Sequence, residues 1–156
     1  MTPLPISATL ITFNEEERIE YTLKSLKNLV KEIIVIDSGS TDQTVTLAEK
    51  YGAKVYFNQW KGYGPQKIFA ESKTSEDWIL NLDADESLSE ALAQEIQQLF
   101  KENQPKYVAY QMDINLVFLW HKMPTDKIKE GTVVRLYNKK KAGFRASRVH
   151  DSVVLN

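Results

Sequence analysis

The sequence predicts an α/β fold: a mostly parallel sheet with flanking helices, followed by an antiparallel C-terminal hairpin. Three observations carry this expectation. Apolar runs of strand length alternate with segments of helical periodicity up to Leu99, in the order β-α-β-α-β-α-β-α. That order indicates parallel strands joined by right-handed crossovers, with helices on both faces. Further on, Val108, Tyr110, Met112, Ile114, Leu116 and Phe118 alternate with polar neighbours, as in a half-exposed antiparallel strand. Last, Thr132–Tyr137 and Gly143–Val149 flank a lysine-rich turn and read as a hairpin.

Each element has a local reason. Ile6–Phe13 is apolar and rich in β-branched residues, as a buried strand requires. Asn14, with Glu17 three residues on, predicts a capped helix whose buried face is Ile19, Leu23, Leu26 and Val30. Lys31–Ile36 is a second strand ending at Asp37, and Ser38-Gly39-Ser40-Thr41-Asp42 is a turn. Val45, Leu47, Ala48 and Tyr51 form the face of a second helix, stopped by Gly52. Lys54–Phe57 is a short third strand. Pro65 is expected to open a third helix, because its missing N–H costs nothing there. Trp78–Leu82 is the fourth strand, and Ser87 with Glu90 predicts the cap of a fourth helix carrying Leu88, Leu92, Ile96 and Leu99.

Composition excludes several classes. A chain of 156 residues suits one domain. Twenty basic against 21 acidic residues leave a net charge of -1, so no global basic field points to nucleic acid. The absence of cysteine excludes disulfides and thiolate metal sites. With only His121 and His150, a multi-histidine zinc site is not expected. Met1–Leu10 has no secretory pattern, and apolar runs such as Leu116–Trp120 are far short of the roughly 20 residues that span a bilayer.

The chemistry concentrates in Ile79-Leu80-Asn81-Leu82-Asp83-Ala84-Asp85-Glu86, where an apolar run stops at two aspartates one residue apart. Ligands of open α/β sheets bind at this carboxyl edge. Two carboxylates converging there favour a hard divalent cation, Mg²⁺ or Mn²⁺. Such triplets also simply favour turns. Two further strands end in polar residues, at Thr12-Phe13-Asn14-Glu15 and at Asp37. If the strands are parallel, all three groups share an edge, which points to a nucleoside-diphosphate site. Asp37 can contact base or ribose, close an Asx-turn on Ser38-Gly39, or do both. Thr12 and Asn14 also read as ordinary helix caps.

These motifs resemble the nucleotide-binding half of family 2 glycosyltransferases with the GT-A (Rossmann-like) fold: Ala8–Glu15, Ile34–Asp42 and Asn81–Glu86. Trp60-Lys61-Gly62-Tyr63-Gly64-Pro65-Gln66-Lys67 resembles the subset that builds the inner core of bacterial lipopolysaccharide. The resemblance implies an inverting hexosyl transfer from a nucleoside-diphosphate sugar, a UDP-sugar being favoured, to a glycan or glycolipid. It also implies a cytoplasmic setting with peripheral membrane contact. Residues 1–101 would form the nucleotide-binding half and 102–156 the acceptor side. Thr12, Asn14 and Glu15 would line the nucleotide pocket, Asp37 the base or ribose, Asp83 ribose and metal, and Asp85 would be the main ligand of Mg²⁺ or Mn²⁺. Asp151, beside His150, would be the catalytic base. Family members usually continue beyond this point, so a truncated domain is expected.

Other residues carry weaker expectations. Gly62-Tyr63-Gly64 could admit the sugar diphosphate, with Lys67 near the phosphates. Arg135, Arg145 and Arg148 could meet an anionic acceptor or be solvated surface. Lys139-Lys140-Lys141 reads as an exposed hairpin tip, and an aromatic at Trp120 reads as core or as a sugar platform. The competing functions are a phosphohydrolase with Asp83 as nucleophile, a nucleotidyltransferase, and a nucleotide-sugar-binding module without turnover.

Overall fold

The computed structural model describes residues 2–102, 105–115, 117–118, 121–122, 129–147 and 152–156. In chain order its elements are β1 (Leu4–Thr12), α1 (Ile19–Leu26), β2 (Val30–Asp37), α2 (Thr44–Lys50), β3 (Lys54–Phe57), α3 (Tyr63–Ser72) and β4 (Trp78–Asn81). They continue with α4 (Glu90–Glu102), β5 (Ala109–Asn115), β6 (Val117–Phe118), β7 (His121–Lys122), β8 (Lys129–Asn138), β9 (Ala142–Phe144) and β10 (Val153–Leu155).

One six-stranded sheet runs β3-β2-β1-β4-β8-β5. The first four in that order are parallel, and β8 enters antiparallel between β4 and β5. Alternation along β1 sorts the core into two faces. Ile6, Ala8 and Leu10 pack with Ile19, Leu23 and Leu26 of α1, Ala48 of α2 and Ile96 of α4. Ile11, Ile34 and Ile36 meet Ala70 of α3 on the other face. Each leucine or isoleucine side chain among these, fully buried, contributes about 1.5–3 kcal/mol.

Several element boundaries differ from expectation. Asn14 does not cap α1: its backbone is left-handed, at φ 53°, and the helix begins after a turn in which Arg18 and Ile19 donate to the Glu15 carbonyl. Pro65 falls inside α3, which opens at Tyr63 after Gly62 at φ 114°. The side chain that caps α4 is Ser89, not Ser87: its Oγ accepts from the Leu92 N–H at 3.2 Å. Among the described residues Thr132–Tyr137 pairs with β4 and β5 rather than with 143–147, and residues 148 and 149 of the expected hairpin lie outside them. Leu136 and Tyr137 are both essentially inaccessible, so β8 takes an inner place in the sheet. The antiparallel C-terminal hairpin is instead β9 with β10, pairing Phe144 with Val153 and Ala142 with Leu155.

The lysine-rich turn lies at the opposite end of β4 from the aspartates, because Trp78 pairs with Asn138. Lys139 donates to the carbonyl and hydroxyl of Thr74, and Lys140 pairs with Asp77 at 2.7 Å. Lys139 ties the turn to Thr74, while the Lys140–Asp77 pair is largely exposed and adds little.

Candidate active site

Strand polarity builds the site. Thr12, Asp37 and Asn81 end β1, β2 and β4, three adjacent parallel strands, so the residues after each leave the sheet on one edge. The convergence expected of residues 12–15, 37 and 83–85 is therefore a property of the topology.

Asp37 is buried and organises the loop that follows it. Its Oδ1 accepts from the Thr12 hydroxyl at 3.2 Å and the Ser40 hydroxyl at 2.5 Å. Its Oδ2 accepts from the Gly39 and Ser40 N–H groups at 2.8 and 2.9 Å. This is the Asx-turn weighed for Asp37, extended by two hydroxyls. Asn14 ties the same loop to β1: its N–H donates to Ser40 Oγ, and its side-chain oxygen accepts from the Thr41 N–H, each at 2.8 Å. The Glu15 N–H donates to Thr44 Oγ1 at 2.8 Å, so residues 12–15 and 37–44 form one interlocked unit.

Glu15 and Asp85 face each other through Arg18. The guanidinium makes two hydrogen bonds to Glu15, at 2.8 and 2.9 Å, and lies 3.6 Å from Asp85 Oδ2. Burial raises the Glu15 carboxyl above its ordinary range against the pull of Arg18, and the nearby Asp85 adds to the rise. Asn14, Glu15, Arg18 and Asp42 line a cleft of about 280 Å³ on this edge.

Asp83 sits differently. Lys67, from α3 and only 1% exposed, donates to Oδ1 at 2.9 Å, and Arg135, from β8, donates to Oδ2 at 2.9 Å. Burial pushes the Asp83 carboxyl up, but these two cations outweigh it and hold it below the usual carboxylate range. Arg135 also bonds Glu86 and reaches Asn81 Oδ1 at 3.4 Å. Asn81 in turn donates to Thr9 Oγ1 at 3.0 Å. Asp85 stands apart from this network with half its side chain in solvent.

Arg135, expected to meet an anionic acceptor or to be solvated surface, is instead buried against Asp83 and Glu86, and Asn81 and Glu86 of the Ile79–Glu86 motif carry bonds for which the motif assigned no role. One signal was available: Arg135 interrupts the apolar stretch Val133-Val134-Arg135-Leu136-Tyr137. A charge buried in a strand needs a partner.

Gly64 admits backbone rather than ligand. A Cβ there would lie 2.2 Å from the Arg145 carbonyl oxygen and 2.6 Å from that of Ser147, and the Gly64 N–H donates to the latter at 3.0 Å. The Trp60–Lys67 segment thus seats residues 145–147. Asp151, with Arg148 and His150, lies outside the described residues, as does Trp120.

Among the described residues no group of three or more histidine, aspartate or glutamate side chains is placed to hold an ion. Mg²⁺ commonly uses one or two carboxylates and takes its remaining ligands from substrate phosphates and water. Asp85, half exposed on this edge, is a carboxylate of the kind such an ion takes, whereas both oxygens of Asp83 already accept from Lys67 and Arg135.

A mixed sheet delivering Thr12, Asp37 and Asp83 to one edge defines a GT-A-like α/β domain. Staphylococcus aureus TarS (residues 1–349) shares the fold, with a TM-score of 0.55 and 23% identity over 75% of this chain and 36% of that one. The chain belongs to glycosyl transferase family 2, whose model matches residues 7–154. An uncharacterized glycosyltransferase of Rickettsia felis is 48% identical over 155 residues, 97% of this chain and 55% of that protein. The lipopolysaccharide core biosynthesis glycosyltransferase LpsC of Rhizobium meliloti is 31% identical over 157 residues, 97% of this chain and 57% of that protein. The chain spans about half the length of the curated relatives it matches.

Proposed function

We propose that this chain carries the donor site of an inverting, metal-dependent hexosyltransferase that uses a UDP-sugar and builds a lipopolysaccharide core. The observation that supports it best is the shared edge at which Thr12, Asp37 and Asn81 end three adjacent parallel strands, with Asp83 in the turn after Asn81 and Asp85 half exposed beside Arg18. Family membership supports the reaction class, and the likeness to LpsC supports the glycolipid acceptor.

In this reading residues 1–101 hold the nucleotide and 102–156 face the acceptor. The interlocked 12–15 and 37–44 segments receive the nucleoside, with Thr12, Asn14, Glu15 and Asp37 as its walls. Asp83, kept ionised by Lys67 and Arg135, accepts hydrogen bonds from ribose. Asp85, assisted by Asp83, would hold Mg²⁺ or Mn²⁺ once nucleotide is bound. The bound metal supplies Lewis-acid stabilisation of charge on the leaving group. Lys67 contributes positive potential from behind Asp83. Asp151 takes the proton of the acceptor hydroxyl, for which a carboxylate within hydrogen-bond reach suffices. The glycolipid acceptor of this reading places the reaction in the cytoplasm, at the membrane's inner face; separately, no helix among the described residues is long and apolar enough to cross a membrane.

Calorimetric titration of UDP-sugars with and without Mn²⁺ tests this. Metal-dependent binding that is lost in Asp85→Ala supports the proposal. Binding of no nucleotide, or binding indifferent to Asp85→Ala, overturns it.

A further inference from the structure

Arg135 lies on a β-bulge. Along the β5–β8 ladder Tyr110 pairs with Leu136, but the next residue, Gln111, pairs with Val134. Arg135 is the extra residue of β8. On its other side β8 pairs with β4 only as far as Leu80 opposite Leu136. Bulges re-aim side chains, and they concentrate beside active sites. Here the guanidinium is directed past the end of β4 into the turn that carries the aspartates. One nitrogen, Nη2, bonds both Asp83 and Glu86, the first and last residues of that turn.

The turn is fastened at every residue but one. The Asp83 N–H donates to Glu86 Oε2 and the Glu86 N–H to the Asp83 carbonyl, each at 3.0 Å. Ala84 is buried and its carbonyl accepts from Thr22 Oγ1 at 2.9 Å. Asp85 is left outside this clamp. Arg135 is 6% exposed, and its Nε is buried without a partner. An arginine kept this deep, with one donor unsatisfied, serves the geometry of what it holds rather than solvent or net charge.

We propose that Arg135 is a positioning residue: through Asp83 and Glu86 it holds the 83–86 turn in the one conformation that projects Asp85 to a metal–diphosphate. This rests on the donor-site reading above. It also links the two halves of the chain, since the strand bearing Arg135 belongs to 102–156 and the turn to 1–101. A fixed turn spares binding the cost of ordering it, and support of this kind is worth about 10- to 100-fold in metal affinity.

The test uses Arg135→Lys and Arg135→Met, with Glu86→Gln as a second route to the same contact. Three readouts are compared: UDP with Mn²⁺, uridine alone, and amide exchange in residues 82–87. All three variants should bind UDP with Mn²⁺ about 10- to 100-fold more weakly. Uridine, whose ribose meets Asp83, should lose less affinity than UDP with Mn²⁺, and exchange should quicken in 82–87 but not in β1 or β2. Arg135→Lys, which keeps the charge but not the two-residue bridge, should recover less than half of the loss. Wild-type affinity in Arg135→Met, full rescue by lysine, or equal loss of uridine and UDP would each overturn the proposal. The exchange readout needs no nucleotide. If the wild type binds no UDP, the donor-site reading fails, while unchanged exchange in 82–87 of Arg135→Met would separately remove Arg135 from the turn's support.

Discussion

Thr12 and Asp37 are partners twice over: they face each other in the β1–β2 ladder, and the threonine hydroxyl donates to the aspartate carboxylate at 3.2 Å. Four donors in all converge on that carboxylate. Asp37 therefore shapes the nucleoside wall through residues 38–41, whatever it also touches. Asp37→Asn turns one acceptor oxygen into a donor facing N–H groups. It should cost about 1–3 kcal/mol, read as a lower urea midpoint, with faster amide exchange at 38–41. Unchanged exchange there would show that the loop holds itself.

The two aspartates of the 83–85 triplet should respond in opposite ways. Asp83→Ala removes the counter-charge shared by Lys67 and Arg135, whose side chains are 1% and 7% exposed, and leaves Arg135 with Glu86. Asp83 itself is partly solvated, so the expected loss is about 2–4 kcal/mol, at or below that of a fully buried pair. Asp85 has only a 3.6 Å contact with an equally exposed Arg18, and such pairs contribute little. Asp85→Ala should shift stability by less than about 0.5 kcal/mol while abolishing metal-dependent nucleotide binding. Denaturant titration of both variants checks the contrast; equal destabilisation would refute it.

Gly64→Ala tests the seat of residues 145–147. The added methyl would meet backbone, which cannot swing aside as a side chain could. A loss of about 1–3 kcal/mol is expected, with limited proteolysis newly cutting near Ser147. A variant that melts at the wild-type temperature with the same cleavage pattern would show that the segment is not held there.

Acid should weaken the fold through Glu32. Burial opposes its ionisation, but Lys54, Ser7 and Ser75 bond the carboxylate and bring it down to about 2. The folded value lies below the unfolded one, so this stabilisation is complete above about pH 4.5 and is lost as pH falls toward 2. Glu71, raised by burial despite its bonds from Tyr137 and Phe144, acts in the opposite direction. Urea midpoints at pH 7, 4 and 3 should fall less steeply in Glu32→Gln than in wild type, with that variant weaker by about 2 kcal/mol at pH 7. Parallel curves would assign the acid sensitivity elsewhere.

Much of this was written into the chain. Periodicity and β-branching set the first four strands and the helices between them, because burial of apolar faces is a local demand repeated along the sequence. Strand polarity then sent residues 12–15, 37 and 83–85 to one edge. The caps were less legible. Asn14 and Ser87 satisfy the local grammar of a helix start, yet Asn14 bonds the loop after β2, and Ser89 does the capping of α4. Local rules cannot see a competing partner 27 residues away.

What the chain determined alone, then, was a parallel half-sheet and the aspartates at its rim. Only tertiary structure decided which acid is clamped and which is free. Lys67, Asp83, Arg135 and Glu86 come from a helix, a turn and an antiparallel strand inserted beside β4. Their pairing depends on distance and burial, and neither is encoded in spacing along the chain.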